Sequence, residues 1–247
     1  MPFLTIITIT YHAEAFIEAT LESVRQQSNK DFEYIVIDGK SKDGTLAILN
    51  CNKDIINELI SESDKGIYDA MNKGLSKATG DYVWFMNAGD VIYEKDAVKK
   101  LKEIITQMPD VIYSDTMMIA ENGTELGLRS TVLPHQVPTE LTWQKFKFGM
   151  LVCHQSFIAI RSLAPLYIMG NLSADIDWEI KCLKNAKLVV QYPGILSKYL
   201  IGGVSNQKQV KSWKDRFIVL QSHFGFFPNI LNHMLIVFRA AFRKILG

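Results

Sequence analysis

Over its first 110 residues the chain alternates short, apolar, β-branched runs with amphipathic stretches, and this alternation restricts its fold more than any other feature. Phe3–Thr10 (FLTIITIT) carries no charge and reads as a buried strand. Ala13–Gln27 sets Phe16, Ile17, Thr20, Leu21 and Val24 on one stripe, which predicts a helix with a single buried face. Phe32–Asp38 is a second strand, followed by the turn-rich Gly39–Gly44 and a helix to about Cys51. A strand near Ile55–Ser61, a helix from Tyr68 to Lys77, a strand at Asp81–Asn87 and a helix at Glu94–Gln107 complete the series. Strands that alternate with helices pair side by side through crossovers, so the expectation is an α/β fold with a mainly parallel sheet flanked by helices. Later strands are expected at Val111–Ala120 and Phe157–Ile160. A helix over Asp175–Asn185 opens with Asp175 and Asp177, whose charges favour its dipole.

In such a sheet the ligand crevice lies outside the carboxyl ends of the strands. Asp38, Asp64 and Asp90 fall at three successive ends. Any one of them is explained by the liking of Asp for turns and caps; three in successive loops on one rim are the first functional signal.

Composition excludes several classes. A chain of 247 residues, 48% hydrophobic and 21% charged, is neither disordered nor a stapled miniprotein. A net charge of +1 is too balanced for a protein that coats nucleic acid. Cys51, Cys153 and Cys182 lie far apart with no C-x-x-C spacing, against a disulfide framework or structural zinc. The first residues lack the pattern of a signal peptide. Residues 217–238 hold no Lys, Arg, Asp or Glu, but Gln221, Gly225, Pro228 and Asn229 interrupt them, so no membrane-spanning helix is expected. The charge is uneven: Asn206–Gly247 has seven Lys/Arg against Asp215 alone, a charge of +6 that leaves −5 for the rest. Leu231, Met234, Leu235, Phe238, Phe242 and Ile245 recur at helical spacing with Arg239, Arg243 and Lys244 near one end. This is the pattern of an amphipathic helix lying in an anionic membrane interface, packing of the stripe onto the body being the alternative.

The strand Thr5–Tyr11 with its helix, and then VIDGKSKDGT (Val36–Thr45), resemble the opening of the family 2 glycosyltransferases. SESDKGIYDAMNKGLSKATGDYVWFMNAGD (Ser61–Asp90), CHQSF (Cys153–Phe157), SADIDW (Ser173–Trp178) and GGVS (Gly202–Ser205) follow in that family's order, most similar to its colanic acid biosynthesis type. The resemblance covers roughly residues 3–205. It implies a GT-A glycosyltransferase domain over 1–205 followed by a basic helical tail over 206–247. The implied activity is transfer of a sugar from a nucleotide-diphosphate donor, UDP foremost, to a hydroxyl of a saccharide acceptor, with inversion and with Mn²⁺ or Mg²⁺. By the same resemblance Asp38 and the backbone around Thr8–Thr10 hold the donor base. Asp90 ligates the metal, and Asn87 stands where the first acid of the motif usually lies. Lys65, or Lys73, supplements the metal at the phosphates, while Asp69 and Asn72 lie near the donor sugar and ribose. Asp175 is the general base, with Asp177 its runner-up, and His154 and Gln155 border the substrates. Trp84, Phe85 and Trp143 read as core or wall. Gly202-Gly203 occupies the neighbourhood where many relatives place a further histidine ligand. The implied acceptor is lipid-linked and the implied setting the inner face of a bacterial membrane. A catalytically silent, sugar-nucleotide-binding subunit of an assembly complex is the alternative, since the first acid and the histidine are missing.

Overall fold

The computed structural model describes residues 2–133, 136–202 and 209–246, with side chains to residue 236. Gly203–Ser205 of the final motif, Asn206, Lys208 and the side chains of Phe238, Arg239, Phe242, Arg243, Lys244 and Ile245 lie outside it.

The amino-terminal half follows the alternation: β1 (Leu4–Thr10), α1 (Ile17–Arg25), β2 (Glu33–Asp38), α2 (Thr45–Cys51), β3 (Glu58–Ser61), α3 (Ile67–Lys77), β4 (Tyr82–Phe85), β5 (Val91–Ile92) and α4 (Ala97–Ile105). Then come β6 (Val111–Ile119), β7 (Glu125–Leu128), a single turn α5 (Arg129–Val132), β8 (Phe157–Ile160), α6 (Ala174–Asn185) and β9 (Val189–Leu200). Two helices, α7 (Gln209–Phe224) and α8 (Phe226–Leu246), follow. The third strand starts at Glu58 rather than Ile55 because Asn52–Ile56 turns back through the Ile55 N–H to Asn52 carbonyl bond.

The described strands form one mixed sheet in the order β3-β2-β1-β4-β8-β6-β9-β5, with β7 on β6. β3, β2, β1 and β4 run parallel, so Thr10, Asp38 and Ser61 stand abreast in register at one rim. β8 is antiparallel to both β4 and β6, which makes β6 and β9 end at that same rim. Residues of both parities in β1 and β2 are buried, because helices cover both faces. One layer sets Ile7, Ile9, Ile35 and Ile37 against α3 and α6; the other sets Leu4, Ile6, Tyr34 and Val36 against α1 and α4. Each such aliphatic side chain contributes about 1.5–3 kcal/mol on burial. Trp84 and Phe85 are core, as the sequence suggests, and Trp143 is partly buried against it.

The carboxyl-terminal helices are docked on the body. His223 of α7 hydrogen-bonds the Asp177 carboxylate of α6 at 2.8 Å, and Asp215 accepts the Leu172 N–H at 2.7 Å.

Candidate active site

The turn leaving β4 is closed by the Asp90 N–H donating to the Asn87 carbonyl at 2.9 Å. Gly89, at φ +99°, lets the chain turn tightly against Leu200, where a Cβ would come within 2.7 Å of the Leu200 side chain. The turn thereby carries Asp90 inward. Its Oδ1 accepts the Leu200 N–H at 3.0 Å and its Oδ2 accepts Gln155 Nε2 at 2.7 Å. Burial pushes the Asp90 carboxyl up to about 7 despite those two donors. Asn87 Oδ1, beside it in the turn, is buried without a partner among the described residues.

Asp175 opens α6 and is half-buried where its helical neighbours are buried. Ile176 N–H donates to it at 2.9 Å, and the Tyr68 hydroxyl from α3 hydrogen-bonds it. Burial outweighs these donors and raises the Asp175 carboxyl to about 6. Tyr199 of β9 feels both acids: its hydroxyl is pushed up by burial and by electrostatic interaction with Cys153, Asp90 and Asp175. Asp90 and Asp175 therefore share one neighbourhood, completed by Arg129, which donates to the Leu151 and Met150 carbonyls at 2.6 and 2.8 Å. A cavity of about 520 Å³ lined by Asp81, Tyr82, Asp110, Ile160 and Arg161 lies at the opposite rim, away from these acids.

Several of the expected site residues are engaged within the fold. Asp38 is fully buried and works inside the fold: Ser41 Oγ bonds its Oδ1, while the Ser41 N–H and Ser61 Oγ donate to its Oδ2 at 3.0 and 2.6 Å. It ties the β2 turn to β3, the turn-capping role that Asp commonly takes. Thr8 is equally internal, its hydroxyl on the Met86 carbonyl at 2.7 Å. Asn72 clamps the backbone of Tyr167 through both its amide atoms, at 3.0 and 2.7 Å. His154 is a core histidine: Nε2 meets Tyr167 Oη at 2.7 Å among the rings of Phe85, Tyr167 and Trp178, and burial pushes it down to about 3. Trp178 is fully buried and stacked on Tyr167. Asp177 points round the helix from Asp175, to Lys181 at 2.7 Å and His223. Gln155 is buried and serves Asp90 rather than standing open.

Others remain at the rim. Thr10 Oγ1 has no partner among the described residues. Asp69 accepts the Lys65 N–H at 2.9 Å, while the Lys65 side chain is exposed; Lys73 is engaged by Glu62 and the Ser63 carbonyl.

Sequence reasoning passed over Tyr11, Tyr68, Arg129, Glu179 and Tyr199. Tyr11 closes β1 with 62% of its surface exposed, stacked on His12 at 4.0 Å. Beside it Asp64 reaches over Gly39, where a Cβ would lie 2.5 Å from Asp64 Oδ2 and 3.1 Å from the Tyr11 ring. An exposed aromatic face and a carboxylate thus share one corner of the rim.

Among the described residues no three His, Cys, Asp or Glu side chains cluster as a ready-made metal site. Asp90 and the unpartnered Asn87 Oδ1 are hard oxygen donors suited to Mn²⁺ or Mg²⁺. They fit a cation that draws its other oxygens from a diphosphate.

The profile of Glycosyl transferase family 2 matches residues 5–164. A "PGL/p-HBAD biosynthesis glycosyltransferase" of Mycobacterium bovis (strain BCG / Pasteur 1173P2) is 32% identical over 216 residues, 83% of this chain and 80% of that protein. The structure of S. aureus TarS 1-349 in complex with UDP-GlcNAc superposes with a TM-score of 0.71 at 19% identity, covering 87% of this chain; this chain spans only 65% of that one. Glucosyl-3-phosphoglycerate synthase from Mycobacterium tuberculosis, in complex with Mn²⁺, UDP and glucosyl-3-phosphoglycerate, superposes with a TM-score of 0.62 at 16% identity, over 90% of this chain and 80% of that one. These two likenesses establish the GT-A fold.

Proposed function

The chain belongs to glycosyl transferase family 2, and on that premise we propose that it transfers a sugar from a UDP-sugar to a hydroxyl of a saccharide acceptor, with inversion, in the assembly of a bacterial surface glycan. The reading is supported by Asp90 in the turn after β4, held by Leu200 at the end of β9, and Asp175 at the start of α6, two buried or half-buried acids near enough for both to act on Tyr199.

The uracil ring lies on Tyr11, with Asp64 in the role first expected of Asp38, accepting its imide N–H. A carboxylate acceptor there favours uracil over cytosine, which offers no N–H at that position. Thr10 offers its unpartnered hydroxyl to the ribose, and Lys65 its ammonium group to phosphate. Asp90 and Asn87 would hold Mn²⁺ or Mg²⁺; when bound, the ion supplies Lewis-acid neutralisation of the leaving diphosphate. Asp175 receives the acceptor hydroxyl proton as that oxygen bonds the anomeric carbon from the face opposite the departing UDP. A base near pH 6 is ionised at neutral pH yet still basic enough to take a proton in the transition state. Tyr68 orients it.

The acceptor is lipid-linked and the chain sits peripherally on the inner membrane face, through a tail over 206–247 that α7 docks on the body. Of the stripe, Leu231, Met234 and Leu235 are exposed, which favours the membrane over packing on the body. No Asp or Glu follows Asp215, which suits anionic lipid. No described helix is long and apolar enough to cross a membrane. Flotation with anionic vesicles but not zwitterionic ones is expected; failure to float with either removes the membrane contact.

The test of function is incubation with a panel of nucleotide sugars and synthetic lipid-diphosphate saccharides, with product anomer read by NMR. A UDP-sugar giving an inverted product is expected. Binding without transfer across the panel supports the silent-subunit alternative instead.

A further inference from the structure

Glu179 is a buried acid that the proposed chemistry does not use. It lies on α6, fully buried, and neither carboxyl oxygen has a hydrogen-bond partner among the described residues. An ionised carboxylate placed so costs several kcal/mol more than a neutral one. The groups facing it come from every element around it: Asp175 one turn earlier on α6, Cys182 further along it, Arg129 of α5, Cys153 ahead of β8, and Tyr167 in the loop before α6. Of these only Arg129 opposes a negative charge, and its guanidinium donates to the Leu151 and Met150 carbonyls rather than to Glu179. Burial and then Asp175 push the Glu179 acid well above its ordinary range, with Arg129 pulling the other way.

The spacing to Asp175 is four residues, so both side chains lie on one face of α6, Asp175 at the rim and Glu179 beneath it. Packing alone would be served better by leucine, whereas an acid at this depth holds a proton next to the proposed base. We propose that Glu179 is a positioning residue of the transfer site: a carboxylic acid kept uncharged one turn below Asp175, so that the pair carries a single negative charge during turnover, and whose ionisation switches the site off. The proposal rests on Asp175 being the general base. With both acids ionised, a second charge under the rim repels the donor diphosphate and binds Asp175 to its own proton more tightly. Glu179 thus sets the alkaline edge of activity and Asp175 the acid edge.

The test uses the full chain. Infrared spectra of the wild type across pH should retain a protonated-carboxyl carbonyl band above pH 8, where Asp90 and Asp175 are ionised, and this band should be missing in Glu179→Gln. In the kcat/KM profile, Glu179→Gln should keep its neutral-pH rate within about threefold and keep the acid limb, while its alkaline limb moves up by about one pH unit or more. Coincident alkaline limbs, or no such band in the wild type, overturn the proposal. Should Glu179→Gln fail to fold, the wild-type band still decides: it must vanish with the same midpoint as the alkaline limb. If Asp175→Asn retains turnover, the base assignment fails, yet the infrared band still reports on Glu179 by itself.

Discussion

Replacing Asp90 by Asn should stabilise the protein at alkaline pH while abolishing its response to divalent cation. Asp90 is 4% exposed, and its carboxyl titrates near 7 in the fold against 3.8 in an unfolded chain. The folded state therefore holds this proton more tightly, so stability is fully present near pH 4, declines as pH rises toward 7, and is level above. A difference of about three units corresponds to about 4 kcal/mol, an upper bound since local relaxation lets water approach the ion. Asn keeps the shape and the acceptor for the Leu200 N–H but cannot ionise. Urea unfolding in EDTA at pH 5 and pH 8 should show Asp90→Asn more stable than wild type by about 2–4 kcal/mol at pH 8, and by about 1–1.5 kcal/mol at pH 5. Mn²⁺ with UDP should then stabilise the wild type at pH 8 and leave the variant unmoved. If Asp90→Asn is the less stable protein at both pH values, the burial argument is wrong.

Gly39→Ala sets a methyl 2.5 Å from Asp64 Oδ2, a side-chain atom that can move. Folding stability should change by less than about 1 kcal/mol while UDP affinity by calorimetry falls about tenfold, as Asp64 is pushed off its place. His223→Ala leaves Asp177, whose side chain is only 5% exposed, with Lys181 alone. A loss of about 1–3 kcal/mol is expected in urea unfolding at pH 7, with kcat unchanged. Burial works to raise Asp177, but its bonds from His223 and Lys181 outweigh this and hold it below the ordinary value. Its contribution is present above about pH 4 and is lost as pH falls through the lowered value, so the two proteins should converge in stronger acid. A kcat loss as large as the stability loss would place Asp177 in the chemistry instead.

The first four strands and the rim of acids are legible in the sequence because apolar, β-branched runs alternate with amphipathic stretches and Asp follows close on their ends: LTIITIT, then EYIVID before its turn. What each acid does there is not. β2 is buried on both faces, so alternation could not say that Asp38 turns inward to Ser41 and Ser61. β9 escaped notice since Pro193, Gly194 and Lys198 break its apolar pattern, and pairing with β6 across register shifts defines it instead. Arg129 and Tyr199 reach the site through tertiary packing alone. Glu179 was readable: its four-residue spacing from Asp175 signals a shared face, whereas the two-residue spacing of Asp177 signals the opposite one. That His154 is caged by Phe85, Tyr167 and Trp178 depends on three distant segments.

The central claim is that a half-buried carboxylate at the start of α6 takes the acceptor proton while the donor is held elsewhere on the rim. Measuring donor affinity and turnover on the same preparation of Asp175→Asn tests it most directly. The account predicts a UDP-sugar Kd within about threefold of wild type and a turnover lower by about 10²–10⁴. Turnover near the wild-type value would contradict it.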